Sequence, residues 1–306
     1  MLHYTQMSLD RASQQRKDSN WLNTQKTTNS RWLLIHQDKN LFSADLQKLQ
    51  LLLWSSVAHL NTDDAVYIGH QDEIHYFVLD VSNIDPDEVN DLSAGGTFED
   101  MRKVGPKLNG FEASIGVLAR GMCYWHKTHV FCGRCGTANK PYEGGHARRC
   151  QNSECRHITF PRTDPAVIML VTHTFDDGIE RCLMGRQESW PEGVYSTLAG
   201  FVDPGESLEQ AVLREVEEES GIIADDAQYI ASQPWPFPSS LMLGFIAKAK
   251  STQISVEQDE LQDAKWFSRA ELNTFAEWGD DMPGFKLTRR DSISRYLVEY
   301  WRALGE

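Results

Sequence analysis

No run of eighteen or more apolar residues occurs in the chain, and its first thirty residues are polar with no cleavable hydrophobic core. A membrane-spanning helix and a secretory leader are therefore not expected, and a cytoplasmic setting is. Cysteine is scarce, six among 306 residues, which with the missing leader points to a reducing compartment. Positive charge is short as well. The 30 lysines and arginines face 44 acidic residues, a net charge of −14, and extended sequence-independent binding to nucleic acid depends on many Lys and Arg contacts with phosphate. No internal repeat is visible. The length suits two or three domains, with the first thirty residues expected to be partly disordered.

What is present is concentrated in the run Gly200 to Ile222, GFVDPGESLEQAVLREVEEESGI. Its helix is expected to open after Pro204, Gly205 and Glu206 with Ser207 as N-cap, and to end at Gly221, a residue suited to the left-handed position past a helix C-terminus. Glu215, Glu218 and Glu219 then stand at i, i+3 and i+4, so three carboxylates share one face. Arg214 is the only nearby cation. Hard divalent cations, Mg2+ or Mn2+, would supply the missing charge while leaving positions open for phosphate and water. Leu208, Ala211, Val212 and Val216 form the stripe that would be buried. Glu206 and Arg214 are placed to pair across loop and helix. An acidic run alone usually marks a solvated face, but the fixed Gly, Glu and Arg positions around it argue for a site.

Upstream, Cys132, Cys135, Cys150 and Cys155 form C-x2-C, fourteen residues, C-x4-C, the spacing of a zinc ribbon. Four thiolates make a closed tetrahedral site, so one Zn2+ is expected in a structural role; a disulfide pair or buried thiols are the alternatives. Cys123 and Cys182 lack partners at ligand spacing, and the nearby His126, His129, His146 and His157 are not needed as ligands. The stretch from Arg120 to Pro161 is basic, seven Lys and Arg against two Glu. A role for Arg148 and Arg149 in attracting phosphate stands beside the plainer reading that a small ribbon needs a solvated surface.

A third feature is SQPWPFPSS, Ser232 to Ser240. Three prolines interleaved with Trp235 and Phe237 exclude a helix or central strand and make a stiff extended loop. Rings held that way stack on planar heterocycles at little entropic cost.

The run at Gly200–Ile222 resembles the Nudix box, which implies an α/β/α sandwich and hydrolysis of a nucleoside diphosphate linked to another group. Zinc ribbon, box and SQPWPFP, in that order, resemble the NudC-type NADH pyrophosphatase and NAD-capped RNA hydrolase family, clearly over residues 100–306. The implied fold is α+β: an N-terminal mostly-β α+β domain (1–120), a zinc ribbon (121–161) and a Nudix sandwich (162–306). The implied reaction is attack of water on the pyrophosphate of NAD(H), giving nicotinamide mononucleotide and AMP, with NAD-capped RNA as a second substrate. More than one Mg2+ or Mn2+ would be held by Glu215, Glu219, Glu260 and the Ala199 carbonyl, with Glu219 or Glu218 as general base. Gly200, Glu206, Arg214 and Gly221 would support the box. By the same resemblance Gln233, Pro234, Trp235, Pro236, Phe237, Pro238, Ser239 and Ser240 would line the dinucleotide pocket. Phe160, Phe201, Ser294 and Arg102 are further candidates for substrate contact. The family implies a homodimer. The rival readings are a catalytically inactive Nudix fold kept as a nucleotide sensor and a generic hydrolase of ADP-ribose or other nucleoside diphosphates linked to a further group.

For the rest, RWLLIH, AVYIGH and HYFVLDV read as strands, the last two as a hairpin with its turn within Gly69 to Glu73. Residues 111–130 read as a helix burying Phe111, Ile115, Leu118, Ala119, Met122 and Trp125. AVIMLVTH, RCLMGRQ, YSTLAGF, LMLGFIAKAK and DAKWFS read as strands of the catalytic sheet, and DSISRYLVEYWRAL as a closing helix.

Overall fold

The structure, a computed structural model, describes residues 2–256 and 260–305. It divides into two compact units, one of Tyr4–Thr163 with Trp235–Ser239, the other of Met1–His3, Asp164–Pro234 and Ser240–Glu306. The ribbon expected at 121–161 groups with the N-terminal residues.

In the first unit, strands β1 (Ser30–His36), β2 (Lys39–Phe42), β3 (Leu52–Leu53), β4 (Val66–Gln71), β5 (Ile74–Asp80) and β6 (Thr97–Glu99) form one sheet. Its order is β4-β5-β1-β2-β6, with β3 beside β1. Side chains alternate across a strand. Leu33 and Ile35 therefore join a core with Ile115, Ala119 and Met122, while Trp32 and Leu34 join a second with Val57, Val89 and Leu92. The first core is covered by α5 (Gly110–Thr128), capped by Asn109, the second by α2 (Trp54–Val57) and α3 (Pro86–Ser93). The short α4 (Met101–Val104) precedes α5. The early residues are not disordered as expected. Tyr4, Leu9 and Ala12 are buried, Asp10 exchanges backbone hydrogen bonds with His70 at 2.9 and 2.8 Å, and Asp18 caps α1 (Ser19–Thr24). A few apolar anchors hold a segment whose average composition is polar.

Strands β7 (Asn139–Tyr142), β8 (Ala147–Cys150) and β9 (Ile158–Thr159) make the ribbon's small sheet. Arg148 on β8 is buried. It donates to His126 Nδ1 at 2.7 Å and to the Asn139 carbonyl at 3.0 Å, so it is an interior tie and not the phosphate-facing group considered above. Arg149 lies 3.5 Å over the Tyr142 ring.

The second unit is built on β10 (Asp164–Thr174), β11 (Glu180–Arg186), β12 (Leu198–Phe201), β13 (Ala224–Trp235), β14 (Ser240–Ala249) and β15 (Asp263–Ser268), in the order β13-β14-β10-β11-β15 with β12 beside β10. Val167, Met169 and Val171 of β10 face α6 (Leu208–Ser220), packing on Ala211, Val212 and Val216. Ile168 and Leu170 face α8 (Ile293–Ala303), packing on Leu297, Val298 and Trp301. A sheet with a helix layer on each side results, and α7 (Arg269–Leu272) follows β15. Strand β13 runs through Pro234 to Trp235, further than three prolines suggested. It is an edge strand, where a missing N–H is tolerated.

The two sheets share one connectivity. Matching β1–β6 with β10–β15 in turn reproduces the strand order and the off-path strand, and the parallel β1·β5 pair corresponds to β10·β14. The repeat is one of topology, and the first sheet carries no copy of the run at Gly200–Ile222. In the position of α6, the first unit has the single turn α2.

Candidate active site

The site is assembled where β12 passes α6. Ser207 and Gln210 form a reciprocal cap at the helix start, and Gly221 closes it at φ 67°, a left-handed position glycine occupies without strain. Arg214 uses all five of its N–H groups. Nε and Nη2 hold Glu206 at 3.1 and 2.7 Å, Nη2 also the Phe201 carbonyl at 2.8 Å, and Nη1 holds Glu215 at 2.8 Å and Glu218 at 2.7 Å. Such forked, charge-assisted bonds fix direction as well as distance. Glu206 in turn accepts from the Asp203 N–H at 2.6 Å, closing the loop before the helix.

Gly200 is there for space. A Cβ on it would lie 1.8 Å from the Glu215 carboxyl carbon and 2.0 Å from both oxygens. The Glu215 carboxylate therefore lies directly on the backbone of β12, beside Ala199.

A cavity of about 1000 Å³ opens here, lined among others by Ala199, Phe201, Glu215, Glu219 and Glu260. Glu219 is buried. Burial first, then the Glu215 and Glu260 charges, push its carboxyl up to about 8, against a hydrogen bond from the Ala199 backbone. Its Oε2 is buried with no hydrogen-bond partner. Burial likewise raises Glu215, against Arg214. Carboxylates crowded in this way, one with an orphaned oxygen, are the donor set of a hard divalent cation. The residues fit Mg2+ or Mn2+. Glu218 lies half-exposed on Arg214 and is not among the cavity's lining residues.

The four ribbon cysteines bring their sulfurs within 4.8 Å of one another, the one such ligand cluster among the described residues. Cys135 and Cys150 sulfurs are 3.4 Å apart, those of Cys132 and Cys155 3.9 Å. A tetrahedron of Zn–S bonds of about 2.3 Å has edges of about 3.8 Å, so the residues fit one zinc ion. Cys123 and Cys182 are buried apart from it, with thiols pushed up by burial.

The other candidates divide. Trp235 and Phe237 meet edge to face, rings 5.1 Å apart at 78°, each also edge-on to Tyr4. Arg120 donates to the Pro236 carbonyl and lies 5.0 Å over Phe237, with Arg102 at 5.9 Å; Arg102 is itself bonded to Asp100. Phe160 and Phe201 are exposed. Pro234 lies on β13 and Ser240 opens β14, while Pro238 follows a cis peptide bond and Ser239 belongs with the first unit. Gln233 and Ser294 are interior residues. The Gln233 amide donates to the His3 and Asp291 carbonyls and accepts from the Ile293 N–H. Ser294 Oγ bonds Ser196 Oγ and the Thr197 N–H. Both tie α8 to the sheet.

A NUDIX domain model matches residues 162–287, an NADH pyrophosphatase zinc ribbon domain residues 127–160, and an NADH pyrophosphatase-like rudimentary NUDIX domain residues 29–125. The NAD-capped RNA hydrolase NudC of Stutzerimonas stutzeri (strain A1501) is 36% identical over 277 residues, covering 89% of this chain and 90% of that protein. The chain belongs to the NudC-type Nudix hydrolases. Human NAD-capped RNA hydrolase NUDT12 is 43% identical over 196 residues, 62% of this chain. Human mitochondrial NAD(P)H pyrophosphatase NUDT13 is 39% identical over 216 residues, 67% of this chain and 59% of its own length. The chain spans 42% of the human NUDT12 protein's length.

In this Nudix hydrolase the cavity is also lined by residues with no signal in the sequence, Gln187, Glu188 and Ser189 after β11 with Asp203 and Gln262. Polar loop residues carry no periodicity, and only the pairing of β11 with β15 shows that both loops reach one opening.

Proposed function

We propose that the protein hydrolyses the pyrophosphate bond of NAD(H), giving nicotinamide mononucleotide and AMP, and removes the same cap from NAD-capped RNA. The observation that carries this is the cavity in which Glu215, Glu219 and Glu260 converge beside Ala199; membership of the NudC-type family and the names of the relatives support the substrate.

Bound at Glu215, Glu219, Glu260 and the Ala199 carbonyl, Mg2+ or Mn2+ ions would neutralise phosphate charge and lower the pKa of water. The chain's own part is positional. Arg214 locks Glu215 against β12 and keeps Glu218 outside the cavity, and Glu219 takes the proton of the attacking water as its oxygen bonds to phosphorus and the bridging oxygen leaves. Each unit brings its own rings for stacking on the bases, Phe201 beside the carboxylates in the second and Trp235, Phe237 and Phe160 in the first. One Zn2+ on the four cysteines is structural. We further read the protein as a cytoplasmic homodimer.

Chromatographic assay of NADH, NAD+, ADP-ribose and a short 5′-NAD RNA with Mg2+ or Mn2+ tests the reading. Cation-dependent release of nicotinamide mononucleotide is expected, and cleavage of ADP-ribose alone would overturn it. Glu219→Gln is expected to lower kcat by about two to four powers of ten with an unchanged melting curve.

A further inference from the structure

The first unit contains a second cavity, of about 310 Å³, within the size range of small-molecule sites, about 300–1,000 Å³. Its walls come from three parts of the unit: residues 16–26, the approach to β4 with Thr62, Asp63 and Tyr67, and the β7–β8 turn with Tyr142 and Glu143. Arg16, Lys17 and Lys26 all line it.

These cations are incompletely matched. Arg16 uses Nη1 on the Arg11 carbonyl at 3.4 Å, while its Nε is buried without a hydrogen-bond partner. Among the described residues Lys26 Nζ bonds Thr62, at 3.1 Å to Oγ1 and 3.5 Å to the carbonyl. Asp63 and Glu143 share the cavity, yet burial outweighs their pull and holds Lys26 and Arg16 below their ordinary values. Arg11 is lowered too, by burial and then by Arg16. Desolvated cations with an orphaned donor lack an acceptor-rich anion. Phosphate oxygens answer that need, and the partly exposed Tyr142 provides ring surface for what the phosphate carries.

We propose that this cavity binds a nucleotide phosphate, from a free mononucleotide or from single-stranded RNA, with Arg16 and Lys26 as its cations. It is separate from the carboxylate cavity of the second unit and does not depend on the chemistry there.

The test is calorimetric titration of the full zinc-loaded chain with inorganic phosphate, AMP and an uncapped RNA hexamer. Omitting Mg2+ and Mn2+ leaves the carboxylate cavity repelling anions. Phosphate and AMP are expected to bind, and Lys26→Gln to weaken AMP by about tenfold, one charged hydrogen bond, with melting and NADH turnover unchanged. Arg16→Gln should weaken it further; because Arg16 also packs on Gly144, Lys26→Gln, which gives up contacts with Thr62, is the variant that separates lost binding from lost folding. Binding of RNA but not AMP, sensitive to the same substitutions, would support the site and identify a strand as its source. No binding of any of the three, or binding indifferent to Lys26→Gln and Arg16→Gln, would overturn the proposal.

Discussion

Arg214 and Gly200 act together on a single carboxylate. The guanidinium pulls Glu215 from one side and the bare backbone of β12 admits it on the other. Gly200→Ala forces overlap with that carboxylate, so either Glu215 or the strand must move, at a cost of about 1–3 kcal/mol. Loss of most turnover with a melting curve only slightly lowered is expected. Arg214→Lys keeps the charge but cannot reproduce five directed donors; a drop in kcat exceeding any change in KM is the expected result. A variant with wild-type kcat would show that Glu206 alone organises the loop. Glu206, Arg214 and Glu215 were legible in the sequence because they lie close along the chain. Arg148, whose charge is spent on a helix 22 residues away, and Gln233, whose three partners lie in distant segments, were not.

Among the elements, the clearest in the sequence were those with one strong period: α6 with its cap and closing glycine, the β4–β5 hairpin, α5, and the strands of the second sheet. The ribbon's attachment was not legible, since it is made by single buried polar contacts. His126 donates from Nε2 to the Gly145 carbonyl and His146 to the Tyr67 carbonyl, both at 2.7 Å. Burial brings each imidazole down to about 4. In the unfolded chain a histidine takes its proton near pH 6.5. The folded state thus binds fewer protons between the two values, and the stability these groups contribute is complete above pH 6.5 and lost as pH falls toward 4. Melting with bound zinc monitored is expected to show a loss of about 2 kcal/mol per histidine from pH 6.5 to 5, with a smaller slope in His146→Gln. An unchanged slope would mean the contact with Tyr67 carries no linkage.

At the scale of the whole molecule, light scattering is expected to give twice the chain mass; a monomer at assay concentration with full turnover would remove the homodimer from the account. The shared topology of the two sheets escaped the sequence because the parts that differ are the ones with strong patterns. After β12 comes a cap, three turns of helix and the carboxylates, whereas after β3 comes only Trp54–Val57. Saturation mutagenesis should therefore meet two unlike responses in one protein. Substitutions after β3 need only preserve a turn and bury Val57, and a broad range of residues should be accepted there. From β12 onward the equivalent stretch should reject nearly every change at Gly200, Glu206, Arg214, Glu215 and Glu219, so the first sheet is where a new loop could be inserted with the chemistry left whole.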